Sequence, residues 1–87
     1  MHRRLLSETE LAVLLALYDA ARGNVDVRVS LEEIAGRFRK DYRGYVAEVL
    51  SGLARHGHVQ EYRTADGVTY RIAGVGVRKV RELGVVR

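Results

Sequence analysis

From Glu8 to Arg22 the apolar residues Leu11, Leu14, Leu15, Tyr18 and Ala21 recur at helical spacing, which predicts a helix over about residues 7–22 with one buried stripe. Ser7 followed by Glu10 reads as a capping box at its start, Leu6 and Leu11 as the flanking hydrophobic staple, and Gly23-Asn24 as its stop. The other side of this helix is not polar. Val13, Ala16, Leu17 and Ala20 form a second apolar strip that a lone surface helix does not need. Either the C-terminal segment of the same chain covers that strip or a second subunit does.

Val25 to Val29 alternates Val-Asp-Val-Arg-Val, the period of a short, half-buried edge strand. It leads into a second Ser-x-x-Glu box, Ser30 to Glu33, with Val29 and Ile34 as staple. A second helix, over about residues 30–39, then carries Leu31, Ile34, Ala35 and Phe38 on one stripe. Gly36 falls inside it at a cost of about 1 kcal/mol against Ala, which predicts close approach of another backbone there. A third helix is expected over about residues 41–56, capped by Asp41 and ended by Gly57. At 100° per residue Tyr42, Val46, Val49 and Leu53 gather on its inner side, with Tyr45 and Leu50 at the margins. Lys40, Arg43, Gly44, Ala47, Ser51 and Arg55 gather on its outer side, small in the middle and basic at both ends.

After Gly57 the period changes. His58 to Arg63 and Val68 to Ala73 read as two strands, a hairpin over about residues 58–73 turning through Ala65-Asp66-Gly67. With Asp66 and Gly67 as the central pair, Arg63 faces Tyr70, Glu61 faces Ile72, and Tyr62 lies across from Arg71. A last helix, over about residues 75–84, would bury Gly76, Val80 and Leu83 and close on Gly84. At 87 residues the chain has room for one core, so residues 1–87 are taken as a single α+β domain, mainly α.

Composition narrows the function classes. Without Cys or Pro there is neither a disulfide framework nor a Cys-ligated zinc. The longest apolar run, Leu11 to Tyr18, is far short of the roughly 20 residues that span a bilayer. No small-residue cleavage site follows the Arg3-Arg4 flank, so a cytoplasmic protein is expected. The 15 Lys plus Arg against 11 Asp plus Glu give a formal charge of +4, which favours polyanionic partners. Apart from Lys40 and Lys79 the cations are arginines, whose planar fork suits phosphate and guanine. High-GC codon usage or a thermophilic source accounts for that bias equally well.

Enzymatic readings find little support. His56 and His58 have no acidic or thiol cluster beside them to complete a metal site, and read as a surface or strand-end pair. Gly74 to Lys79 follows a strand and opens a helix, yet lacks the third Gly and the Lys-Ser/Thr ending of a phosphate-cradling loop. Ser7 and Ser30 are explained as caps rather than nucleophiles. No enzyme activity, cofactor, metal or small-molecule effector is expected.

The order helix, short strand, helix, helix, hairpin, helix from Ser7 to Leu83 resembles a winged helix-turn-helix. In particular, His56-Gly57-His58-Val59 followed by Asp66-Gly67-Val68-Thr69-Tyr70-Arg71-Ile72 is similar to the recognition-helix end and wing of small archaeal and bacterial regulators of the MarR, ArsR and PadR type. Those families commonly open the C-terminal helix with Thr-x-x-Gly. Here Ala73 stands in place of the Thr, while Gly76 keeps the Gly. The resemblance implies sequence-specific binding of double-stranded DNA by a transcriptional regulator, with the third helix in the major groove and the wing on backbone or minor groove. By position it assigns groove contacts to Lys40, Tyr42, Arg43, Ala47 and Ser51, a phosphate contact to Arg39, and wing contacts to Arg63, Thr64 and Arg71. The projection itself puts Tyr42 on the inner side. A homodimer would use Val13, Leu17, Ala20, Val80 and Leu83. The alternative is a winged-helix protein-interaction module of a replication, transcription or trafficking assembly, docking through the Val13-Leu17-Ala20 strip; RNA binding by the same basic face is a third.

Overall fold

The computed structural model describes residues 6–82 and contains four α-helices and a three-stranded antiparallel sheet. Helix α1 spans Glu8–Ala20, and its start is the expected capping box. Ser7 Oγ accepts from Glu10 N at 3.1 Å and Ser7 N donates to Glu10 Oε1 at 2.9 Å, satisfying two donors that the first helical turn leaves without partners. The helix closes two residues earlier than Arg22. Arg22 and Gly23 both take positive φ, and Gly23 N donates to Tyr18 O at 3.0 Å.

Strand β1 is only Val29–Ser30. The alternating segment before it is a turn instead. Asn24 Oδ1 accepts from Asp26 N and Asn24 O from Val27 N, and Val25 and Val27 stay exposed. Local side-chain chemistry of Asn24 thus prevails over a valine alternation too short to find a partner strand. Ser30 closes β1 and caps α2, Leu31–Ala35, with its hydroxyl accepting from Glu33 N at 3.1 Å. Only that half of the second box forms; Ser30 is also paired with Thr69 in the sheet.

Helix α2 is half the expected length. Gly36 is its C-cap, not an interior residue, and is exposed. A Cβ there would meet the carbonyls of Glu32 and Glu33 from its own turn, so no foreign backbone crosses at Gly36. Arg37 pairs with Asp19, tying the end of α2 to the end of α1. A 3-10 turn, Lys40–Tyr42, then feeds α3, Arg43–Arg55. Asp41 lies in that turn and caps nothing; Tyr42 holds the N-cap position without a side-chain bond. Gly57, at φ +80°, ends α3 as expected, and His58 N reaches back to Leu53 O at 2.9 Å.

Strands β2, Val59–Thr64, and β3, Gly67–Ile72, form the hairpin, and β1 adds to the free side of β3 to give the order β1-β3-β2. The turn centres on Ala65-Asp66 rather than Asp66-Gly67. Thr64 therefore pairs with Gly67, Arg63 with Val68, Tyr62 with Thr69, Glu61 with Tyr70 and Gln60 with Arg71. The Thr64 hydroxyl accepts from Asp66 N and donates to Gly67 O, which stabilises the tighter turn without positive φ at Ala65 or Asp66. Because the slip is an even number of residues, every side chain keeps its expected face although each pair changes.

Helix α4, Gly74–Glu82, packs on α1 and shares with α3 the cover of the second apolar strip, Val13 lying beside Val46 and Val49 of α3. Val13, Leu17 and Val80 are 1%, 0% and 0% exposed, inside the chain's own core, and Ala20 is half-buried. Val13, Leu17 and Val80 are thus consumed by folding, while Ala20 keeps part of its surface. Leu83 and Gly84 lie outside the described residues. The core is completed by Leu14, Ile34, Val46, Leu50, Leu53, Val59, Tyr70 and Ile72, drawn from α1, α2, α3 and the inner face of the sheet. His58 is part of it at 5% exposure, a buried residue and not a surface one. Its carbonyl accepts from Ala73 N at 3.0 Å and also abuts Gly76, where a Cβ would lie inside contact distance of the oxygen and 2.9 Å from Ile72 Cγ1. The close backbone approach expected at Gly36 occurs here instead.

Candidate nucleic-acid interface

Helix α3 turns Val46, Leu50 and Leu53 inward, which fixes Gly44, Glu48 and Arg55 as its outermost line. Ala47 and Ser51 lie on one flank and are half-buried, so they border the outward face instead of forming its centre. Tyr42 is 50% exposed and Tyr45 55% exposed. The inner placement of Tyr42 is corrected, because the 3-10 turn rotates it away from the α-helical projection. Both rings rim a groove of about 250 Å³ between α1 and α3, floored by Val13, Val46 and Val49 and closed by Phe38 and Glu8.

The two flanks of α3 differ in charge. Toward α1 lie Glu8, Glu10 and Glu48, with Arg55 among them. At the N-terminal end lie Arg39, Lys40 and Arg43, all exposed. Arg43 Nε donates to Phe38 O at 3.2 Å, which anchors the guanidinium across the turn and leaves its terminal nitrogens outward. Arg39 sits 3.7 Å from Asp41, a solvent-exposed pair that holds it only loosely. Between these ends the surface is small. A Cβ at Gly44 would meet nothing within 4 Å, and one at Gly52 would meet only the Arg55 side chain at 3.9 Å.

The expected wing residues separate into two places. Arg63 and Thr64 stand at the hairpin tip, but Thr64 uses its hydroxyl inside the turn. Arg63 lies on the inner side of the sheet plane and its Nε donates to Glu61 Oε2 at 2.8 Å. Glu61 in turn neighbours Tyr70 across the strands. Burial first, then the Glu61 carboxylate, raise the Tyr70 hydroxyl above its ordinary pKa of 10.0. Arg71 is on the outer side of the sheet near the base of the hairpin, where its Nε donates to Gln60 Oε1 at 3.1 Å. It does not share a surface with Arg63.

Glu48, Tyr45 and Gly52 belong to this face and were not among the expected contacts. Projection about the true core centre, Val46-Leu50-Leu53, brings them out; a centre drawn through Tyr42 and Val49 does not. Among the described residues no group of His, Cys, Asp or Glu could hold a metal ion, and no helix is long and apolar enough to cross a membrane. Compared with known proteins, the chain matches no protein-family model and no curated protein.

Proposed function

We propose that the chain is a winged helix-turn-helix protein that binds double-stranded DNA sequence-specifically, as a transcriptional regulator. The element order and the β1-β3-β2 sheet are compatible with that architecture. One observation carries the functional reading: small residues, Gly44, Ala47, Ser51 and Gly52, lie on and beside the outward line of α3, and a Cβ at Gly44 would meet nothing within 4 Å while one at Gly52 would meet only the Arg55 side chain. Each glycine costs roughly 1 kcal/mol of helix stability against Ala, and a duplex groove is a partner that requires the backbone to come close. Lys40 and Arg43 then reach phosphates and base edges from the cationic flank. The Arg63 tip meets backbone phosphate only in competition with Glu61. Catalysis has no part in this reading.

Mobility shifts on random-sequence and selected duplexes at two salt concentrations test it. Binding should fall steeply with salt; Arg43→Ala should relax sequence preference, and Arg63→Ala should weaken all duplexes alike. Failure to bind any duplex at low salt would remove the proposal.

The groove between Phe38, Tyr42 and Tyr45 favours a second reading, docking of a protein partner through exposed aromatics. It replaces the Val13-Leu17-Ala20 strip as the surface such a partner would use. Charge reversal at Arg43 separates the readings, since it should abolish DNA binding and leave docking at the groove intact.

A further inference from the structure

The outer side of the sheet carries an arrangement that the α3 interface does not use. Alternation places Gln60, Tyr62, Thr69 and Arg71 on that side, and Arg28, just before β1, falls in the same row as Arg71 and Gln60. The Arg28 guanidinium lies 3.8 Å from the Tyr62 ring centroid and that of Arg71 lies 5.8 Å from it. Tyr62 donates its hydroxyl proton to Gln60 Oε1 at 2.7 Å, and the same oxygen accepts from Arg71. Two like charges are therefore held against one phenol ring, and neither makes an ion pair with a carboxylate among the described residues. Asp26 borders the depression beside Arg71 without pairing with it.

We propose that this sheet face is a second phosphate-binding surface, taking the phosphodiester backbone of a nucleic-acid segment separate from the one met by α3. This rests on the reading of the chain as a nucleic-acid-binding protein. The Arg28 guanidinium, stacked on the ring, keeps its N–H edges free in the plane, and that fork matches two phosphate oxygens at once, while Arg71 gives its Nε and Nη2 to Gln60 and offers its Nη1 end. The bonds among Tyr62, Gln60 and Arg71 fix the orientation beforehand, so less freedom is lost on binding than with loose surface arginines. Charge complementarity decides the occupant, because an unpaired, pre-aligned cation pair favours phosphate over a neutral or cationic surface. The segment must be a separate one for geometric reasons. Arg71 is four residues from Gly67, roughly 13 Å along the strand, and faces away from the helices. A duplex lying along α3 and touching the Arg63 tip does not reach it. The protein would thus hold two duplexes together.

Arginine Nε–H and backbone amide spectra of the full chain, titrated with a short blunt duplex, follow both surfaces at once. Signals of Arg43 and Gly44 should shift first, and those of Arg28 and Arg71 should shift in a second, weaker event. Arg28→Gln combined with Arg71→Gln should erase the second event and leave the first. It should also lower capture of a labelled duplex by an immobilised one about tenfold. Tyr62→Phe, which keeps the ring and loses the bond to Gln60, should show an intermediate loss and serves as the second variant if the double one fails to fold. Arg28 and Arg71 signals unmoved in excess duplex while Arg43 shifts would overturn the second surface and leave the α3 reading standing. The reverse pattern would overturn the α3 reading and leave the sheet face as a phosphate site.

Discussion

Gly76 in α4 and Gly52 in α3 both sit inside helices where alanine would be the better residue, and their surroundings differ in kind. Around Gly76 the chain itself supplies the reason, since the His58 carbonyl and the Ile72 side chain occupy the space of a Cβ. That contact lets α4 lie close enough to the end of α3 and the sheet for Val80 to enter the core and for α4 to cover α1. Around Gly52, and around Gly44 a little over two turns earlier, nothing but a flexible arginine comes near. A glycine whose reason lies inside the molecule is part of its folding. One without such a reason directs attention to what binds from outside.

The comparison is sharpest at Gly76. Gly76→Ala should destabilise the protein by roughly 2–3 kcal/mol, because the added methyl overlaps backbone that is pinned by the bond from Ala73 N to His58 O and cannot step aside. Chemical denaturation followed by circular dichroism measures it. A change within about 0.5 kcal/mol would mean that α4 docks less tightly than described, and the account of how Val80 enters the core would go with it.

Next in size, and opposite in sign, are the α3 glycines. Gly52→Ala should stabilise by up to about 1 kcal/mol, and Gly44→Ala by less because it lies in the first turn. If a groove receives this face, both should also weaken duplex binding, several-fold at Gly52, as a methyl holds the backbone off. Stability rising while affinity falls is the informative result. Gains in stability with unchanged affinity would separate these glycines from binding and withdraw the observation on which the proposed function stands.

How far the sequence revealed this contrast depends on where the deciding information lies. The start of α1, the Gly57 stop and the hairpin were legible because a few adjacent residues settle them: Ser7 with Glu10, a glycine at positive φ, Gly67 beside Asp66. Gly36 and Gly76 were not distinguishable, since what separates them is the position of His58 and Ile72 in space. The same holds for the strip of α1. Periodicity showed that Val13 and Leu17 needed cover, but only the packing of α3 and α4 on α1 showed that the cover is internal. The candidate site was legible in part. Lys40 and Arg43 came from charge and spacing, whereas the division of Arg63 from Arg71 required the sheet faces, and Arg28 was hidden in a segment whose alternation suggested a longer strand.

The smallest expected effect applies the same test to charge. Arg63 has a reason inside the chain, its bond to Glu61, while no carboxylate among the described residues holds Lys40. Glu61→Gln should therefore release Arg63 and raise duplex affinity a few-fold, whereas Lys40→Gln should lower it. The variant carries its own internal control at Tyr70. Burial and Glu61 raise the Tyr70 hydroxyl, so its ionisation is harder in the folded chain than in the unfolded one. The corresponding stability is complete below pH 10, where the hydroxyl is protonated in both states, and is lost as pH rises through the folded value. Glu61→Gln removes the carboxylate contribution and should make that alkaline loss shallower, while Tyr70→Phe should remove this residue's share altogether. Denaturation midpoints compared between neutral and alkaline pH read both changes. An alkaline profile identical in wild type and Glu61→Gln would show that Glu61 does not bear on Tyr70, and any rise in duplex affinity would then need an explanation other than the release of Arg63.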